Sequence, residues 1–280
     1  MSGPKTFVIV GMGLLGGSLA GAIRKRFRGA RVIGVSRTPR NLALAKKKKL
    51  IHSGTTDLRQ ALRNADFVVI CTPVDTIPKF IQTIDRYAKP GTVVTDVGST
   101  KNTIVRRAAQ KKLKRISFIG SHPLAGSHLT GVKHARPDLF KGAHVFLTPV
   151  RNSDSKAVRS VKTFWRKLNS RVHVISPEAH DRIVSEISHL PHAVSAALMH
   201  SVSNASLRFA ASGFLDTTRI AQGDPNLWVP IFLSNLVHLI SRIRRFKKAL
   251  NVLEAALRVG SSGGIAHFLG SASLKRRNVS

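Results

Sequence analysis

Acidic residues are scarce in this chain: 13 Asp and Glu stand against 46 Lys and Arg, a formal net charge of +33 over 280 residues. Cysteine is almost absent, with Cys71 alone, set in an apolar strand-like run. That excludes a disulfide framework or a cysteine zinc site within one chain and suits a cytoplasmic protein. Aromatic residues are 6% of the chain and Tyr occurs once, which leaves little for stacking nucleic-acid bases. No apolar run reaches the roughly 18 residues that a membrane span needs. The early apolar run is short and leads into glycines, unlike a secretory signal. The expectations are no membrane partner and a cytoplasmic location.

The missing carboxylates invite a nucleic-acid reading. The basic residues, however, are spread along the whole chain, with Lys46–Lys49, Lys111–Arg115 and Lys275–Arg277 the densest clusters. No nucleic-acid motif accompanies them. Such a surface binds polyanions non-specifically and with strong salt dependence, and it attracts a multiply anionic substrate. No specific nucleic-acid partner is expected. With 42% hydrophobic residues, the chain has enough apolar side chains for a large core.

What is present begins at Phe7-Val8-Ile9-Val10, an apolar run that reads as a buried strand. It is followed by Gly11-Met12-Gly13-Leu14-Leu15-Gly16, the pattern G-x-G-x-x-G. Leu19, Ala20 and Ile23 then carry the apolar spacing of a helix. Strand, glycine turn and helix are the parts a dinucleotide requires. Gly11 permits the turn, Gly13 lets backbone approach a pyrophosphate, and Gly16 lets helix and strand pack closely. The helix N-terminus offers free N–H groups to the phosphates.

Ala30 to Val35 reads as the second strand. An acidic residue commonly follows at this place and holds the ribose 2′-OH. Here Ser36, Arg37 and Thr38 follow, with Arg40 near, which favours NADP over NAD. The same residues also suit an ordinary turn in a basic protein. Further strands are expected at Asp66–Cys71, Thr92–Asp96, Ser117–Gly120, Ala143–Leu147 and Arg171–Ile175. Helices are expected between them, including one that Asp57 caps and one that presents a basic face from Lys101 onward. This alternation predicts an α/β fold with a doubly wound, mostly parallel sheet. Ligands of such sheets bind beyond the strand carboxyl ends, so the turns after Cys71, Asp96 and Gly120 are the places for chemistry. Cys71, Thr72 and Pro73 border the cofactor there.

After Pro177 the pattern is helical, with helices expected from Pro177 (interrupted at Pro191), over Ala193–Ala211, over Leu227–Leu257 and over Ile265–Leu274. Gly260 to Gly264 reads as a linker. The chain divides at 1–176 and 177–280, and helices that bury a face poorly alone favour a homodimer.

No metal-ligand pattern stands out. Three constellations could carry chemistry. His122, in Gly120-Ser121-His122-Pro123-Leu124-Ala125-Gly126, is placed to take a hydroxyl proton during hydride transfer; it also fits a loop histidine bonded to backbone. His189 and His192, flanking Leu190-Pro191, fit helix-end caps or an anionic substrate. Arg219, beside Thr218 and backed by Asp216, fits a carboxylate clamp or one surface arginine among many.

Taken together, Asp96-Val97-Gly98-Ser99-Thr100-Lys101, Gly120 to Gly126, Ser188 to His192, and Gly213-Phe214 through Arg219 with Asp224-Pro225 and Trp228 resemble the prephenate and arogenate dehydrogenase family. The resemblance covers nearly the whole chain, to about Leu250. It implies a Rossmann-type dinucleotide-binding domain followed by an all-helical dimerisation domain, and the NAD(P)-dependent oxidative decarboxylation of prephenate to 4-hydroxyphenylpyruvate, or of arogenate to tyrosine. By the same resemblance His122 takes the hydroxyl proton and Ser99 bonds that hydroxyl and orients the histidine. Arg219 holds a substrate carboxylate, and His189, His192 and Ser127 line the substrate pocket. His128 departs from the acidic residue many members carry after Ser127, and Glu254 is the only carboxylate side chain after Asp224. With the chain ending at Ser280, no separate effector domain is expected. A dehydrogenase for another hydroxy acid, or a basic nucleic-acid-binding protein on an inactive dehydrogenase scaffold, are the more distant readings.

Overall fold

Residues 4–126 and 129–279 are described by a computed structural model. Its centre is one eight-stranded sheet in the order β3-β2-β1-β4-β5-β6-β7-β8. The strands are β1 (Thr6–Val10), β2 (Arg31–Val35), β3 (Ser53–Thr55), β4 (Phe67–Ile70), β5 (Thr92–Asp96), β6 (Ile116–Pro123), β7 (His144–Thr148) and β8 (Arg171–Val174). All neighbours pair parallel except β6 with β7.

The continuous apolar runs of the inner strands follow from burial on both faces. Phe7 and Ile9 of β1 pack with Phe67 and Val69 of β4 on one side. Val8, Val10, Val68 and Ile70 pack on the other. The first face is covered by α1 (Leu14–Arg26) and α6 (Ser155–Lys167), through Leu19, Ile23, Val161, Phe164 and Trp165. The second is covered by α3 (Leu58–Leu62), α4 (Ile77–Tyr87) and α5 (Asn102–Gln110). A short helix, α2 (Pro39–Lys47), lies beside β2, and Asp57 caps α3 by accepting the Arg59 N–H. The three-residue edge strand β3 carries only Ser, Gly and Thr, so no apolar run announces it in the sequence.

Beyond β8 the described chain is helical: α7 (Pro177–Val184), α8 (Leu190–Ser201), α9 (Asn204–Leu207), α10 (Ser212–Thr218), α11 (Pro225–Ser234), α12 (Leu236–Arg258) and α13 (Ser262–Arg277). Pro191 does not break the helical run that starts at Pro177; it stands at the second position of α8. A π-helical segment, Ser185–His189, joins α7 to α8 and absorbs the proline one turn later. A widened turn accommodates the ring and the missing N–H without a break. The expected long helices are shorter. α8 stops at Ser201, and the segment from Leu227 breaks at Asn235, which has non-helical backbone angles. Gly263 and Gly264 are no linker; Ser261 caps α13 and accepts the Gly264 N–H, which draws both glycines into the first turn.

Among the described residues, α13 buries no side chain and α12 buries only Leu239. Phe209, Leu233, Val237, Val252 and Val259 are exposed. Among the described residues no helix is long and apolar enough to cross a membrane.

Candidate active site

The glycine turn lies between β1 and α1. Gly11 has φ +100°, and a Cβ there would come 2.5 Å from the Cys71 carbonyl oxygen. At Gly16 a Cβ would sit 1.9 Å from the Gly11 oxygen, so side chains are excluded from the turn's inner side. Gly13 is the opposite case, with nothing within 4 Å of its would-be Cβ. Gly13 is also the N-cap of α1, and no side chain caps that helix end. The first-turn N–H groups are thus directed, without a side-chain partner, at open space: a cradle for an anion.

The other candidate cofactor residues line the same sheet end. Met12 is buried, while Leu14 and Leu15 are half-buried in the first turn of α1. Cys71 and Thr72 follow β4, half-buried, and Pro73 is exposed. Burial pushes the Cys71 thiol well above its ordinary range, with the Asp96 carboxylate adding to it, so it stays protonated. Ser36 follows β2 and accepts the Thr38 N–H at 3.2 Å, and Arg37 projects into solvent.

His122 is placed differently from the expected loop. It lies within β6, opposite Phe146 of β7. Parallel pairing of β6 with β5 ends at Ile119, and antiparallel pairing with β7 takes over from Gly120 to Pro123. A strand therefore carries His122 past the sheet's central carboxyl edge and fixes its direction. The ring is 8% exposed. Its Nδ1 lies 2.8 Å from Nε2 of His180, and Nδ1 of His180 lies 2.7 Å from Oδ1 of Asp181. The Asp181 carboxylate also accepts the backbone N–H groups of Lys101 and Asn102, at 2.7 and 2.9 Å, where α5 begins. It joins the sheet's edge to the first helix beyond it.

Lys101 corrects another expectation. It is wholly buried rather than part of a basic face. Its Nζ pairs with Asp96 and donates to the Ser121 carbonyl at 2.9 Å. Asp96 accepts the N–H groups of Ser121 (3.0 Å) and Gly98 (2.9 Å), so the two turns that flank the site are tied to one carboxylate. Ser99 sits half-buried between Gly98 and Thr100, and Thr100 shares a 2.9 Å hydroxyl contact with Ser234 of α11.

His189 ends the π-helical segment and is 1% exposed. Asn235, at the break between α11 and α12, reaches it: Nδ2 lies 3.1 Å from His189 Nδ1 and donates to the Asp181 carbonyl at 2.8 Å. The other ring nitrogen, Nε2, is buried without a partner among the described residues. His192, one turn on, stacks on Trp228 with ring centroids 3.6 Å apart and planes 10° from parallel. Gly223 lies against this stack; a Cβ there would meet Trp228 Nε1 at 2.4 Å.

All four histidines are held below their ordinary range. For His122 burial is the largest cause; the neighbouring rings of His180 and His189, whenever they are protonated, and the Lys101 ammonium add to it. Burial dominates for His180 too, opposed by its bond to Asp181. His189 is lowered to about 4, again chiefly by burial. His192 is lowered by burial alone. At neutral pH these are uncharged rings, able to accept protons or hydrogen bonds.

Arg219 opens a short 3-10 segment, Arg219–Gln222, and is exposed. The expected backing by Asp216 is not found: among the described residues no ion pair joins them. Thr217 and Thr218 spend their hydroxyls on carbonyls one turn back, which stiffens the approach to Arg219 without touching its guanidinium. Ser127 and His128 lie outside the described residues. The sequence pattern predicts no site role for His180, Asp181, Lys101 or Asn235. Only the adjacent His-Asp pair at the start of a helix was a signal open to the sequence.

The nucleotide-binding domain of prephenate dehydrogenase matches residues 19–174, and its dimerization domain matches residues 176–270. The chain belongs to the prephenate dehydrogenase family. Within it, prephenate dehydrogenase of Bacillus subtilis (strain 168) is 37% identical over 247 residues, 85% of this chain and 66% of that protein. This chain thus spans just under two thirds of that relative's length. The structure of prephenate dehydrogenase from A. aeolicus in complex with hydroxyphenyl propionate and NAD+ superposes with TM-score 0.92 and 31% identity, covering 99% of this chain and 98% of that one. Synechocystis arogenate dehydrogenase gives TM-score 0.83 and 30% identity, covering 98% and 100%.

Proposed function

We propose that this chain is a prephenate dehydrogenase, converting prephenate to 4-hydroxyphenylpyruvate with loss of CO2, as a homodimer paired through the helical domain. The observation that carries the reading is His122. It is a buried, neutral imidazole, bonded on one ring nitrogen by His180, at the same sheet end as the uncapped glycine turn.

The residues fit a dinucleotide, with Gly11 to Gly16 receiving its pyrophosphate and Cys71, Thr72 and Pro73 bordering it. Bound there, NAD(P)+ supplies a hydride acceptor. His122 takes the proton of the substrate's 4-hydroxyl at Nε2 as hydride leaves the adjoining carbon. Ser99 bonds the same hydroxyl. His189, His192 and Arg219 hold the carboxylates by hydrogen bonds and charge. Loss of CO2 makes the ring aromatic, so the chain's task is mainly positioning and proton acceptance. The finer reading of the cofactor is NADP. Ser36 and exposed Arg37 stand where a carboxylate would repel a 2′-phosphate.

Arogenate is the second reading, favoured by the match to the Synechocystis enzyme. Prephenate and arogenate crossed with NAD+ and NADP+, followed by absorbance of the reduced nicotinamide, test all of this. The reading predicts the largest signal with prephenate and NADP+. Silence in all four mixtures from folded, cofactor-binding protein contradicts it.

A further inference from the structure

Two site histidines are joined to one residue, Asp181: His122 through His180, and His189 through Asn235. The tautomers of both rings follow from which atoms can only accept. The Asp181 carboxylate already accepts two backbone N–H groups, from Lys101 and Asn102, and is a pure acceptor when ionised. His180 Nδ1, 2.7 Å from it, must therefore be the donor. A neutral His180 then carries its lone pair on Nε2, and His122 Nδ1, 2.8 Å away, must donate to it. That leaves the lone pair of His122 on Nε2. On the second branch, the Asp181 carbonyl can only accept, so the Asn235 atom 2.8 Å from it is the amide nitrogen. The same nitrogen lies 3.1 Å from His189 Nδ1, which must accept. His189 therefore carries its proton on Nε2, the buried nitrogen without a partner.

We propose that His180 and Asn235 are positioning residues that act from Asp181: His180 sets His122 as a base with its lone pair on Nε2, and Asn235 sets His189 as a hydrogen-bond donor through Nε2–H. The two rings then serve different parts of a substrate, one accepting a hydroxyl proton and the other donating to an oxygen acceptor such as a carboxylate or keto group. This rests on the dehydrogenase reading above. When His122 takes the proton, its Nδ1–H continues to donate to His180, whose own Nδ1–H faces the Asp181 carboxylate. The positive charge is thereby stabilised across two hydrogen bonds. The charged and titratable groups around His122 are Lys101 and Asp96 from the β5–α5 turn, His180 and Asp181 from α7, and His189 from the π-helical segment. Burial and Lys101 disfavour a charged His122, and Asp181 reaches it only through the His180 ring to which both are bonded.

The tautomers are read directly in the wild-type protein by imidazole 15N chemical shifts at neutral pH. The proposal expects Nδ1–H at His122 and Nε2–H at His189; the reverse at either ring overturns that branch. This readout does not depend on the substrate, so it separates the proposal from the dehydrogenase reading, which fails on its own if neither prephenate nor arogenate is turned over. Kinetics supply the second test. His180→Leu is expected to lower kcat about 100-fold, the scale of a misdirected general base, with cofactor affinity unchanged. His180→Gln keeps an acceptor for His122 Nδ1–H and is expected to recover most of that loss. Its acid limb in the kcat profile moves to lower pH, because the imidazolium has lost its path to Asp181. Equal loss in both variants, or none in His180→Leu, contradicts a positioning role.

Discussion

Lys101 and Asp96 form an ion pair with both side chains wholly out of solvent, at the point where β5 turns into α5. In so basic a protein this lysine is distinguished by its surroundings rather than its charge. Burial lowers its pKa, and Asp96 and Asp181 act against that. The pair fixes the Ser99 turn and, through the Ser121 carbonyl, the strand carrying His122. Removing one partner leaves a buried charge unpaired, which costs about 3–5 kcal/mol. Lys101→Met is therefore expected to lose stability on that scale in denaturant melts. A loss comparable to an ordinary surface substitution would contradict a structural role for the pair.

The glycine turn separates fold from binding. Gly16→Ala places a methyl group 1.9 Å from the Gly11 oxygen and is expected to lower the melting temperature and abolish cofactor binding together. Gly13→Ala meets nothing within the protein. It should keep its melting temperature while cofactor affinity falls at least about tenfold, because the methyl group occupies the space through which phosphate approaches. Calorimetry with titration of NAD+ and NADP+ checks both.

The buried histidines make acid a destabilising agent in a defined window. His189 is lowered to about 4 from an ordinary 6.5. In the unfolded chain it binds a proton as pH falls through about 6.5, while the folded chain resists until about 4. The unfolded state thus binds more protons between these values, and stability is full above the window and lost within it. For His189 alone the difference corresponds to about 3 kcal/mol, and His122, His180 and His192 act in the same direction. Melting temperature should fall steeply from pH 7 to pH 4.5, and less steeply in His189→Gln. An unchanged slope in that variant would contradict the assignment.

His122→Asn keeps a polar side chain but no base. Turnover is expected to fall about 10²- to 10⁴-fold, with cofactor affinity within twofold of wild type. Turnover near the wild-type value would remove His122 from the chemistry.

Arg219 is exposed and in no ion pair among the described residues, so Arg219→Ala should leave stability unchanged. Its effect should fall on KM for prephenate, upward by about tenfold or more for the loss of a charge-assisted bond, with cofactor affinity unmoved. An unchanged KM would remove it from the substrate site.

The parts of the fold legible in the sequence are those whose signal is local. Phe7–Val10 and Asp66–Cys71 read as strands because burial on both faces leaves only apolar residues. Gly11 and Gly16 read as a turn because no side chain fits there, and Gly13 because a side chain would fill the space that a phosphate needs. His122 was singled out by its place after a strand, although β7 draws it into the strand itself, and that pairing is not written in the local pattern. Lys101 looked like surface because nothing beside it in sequence shows that Asp96 turns back to meet it. Asp181 and Asn235 are 54 residues apart and join only through tertiary packing. Their roles became visible once the helices were in place. β3 was missed because three small polar residues carry no apolar period.

In the proposed function, reduction of the nicotinamide and loss of CO2 are one reaction. The most direct measurement is their stoichiometry: CO2 released and reduced nicotinamide formed, counted in the same reaction of purified protein with prephenate and NADP+. One CO2 is expected for each reduced cofactor, with 4-hydroxyphenylpyruvate as product. Reduced cofactor without CO2 would contradict it and indicate a simple alcohol oxidation by the same fold.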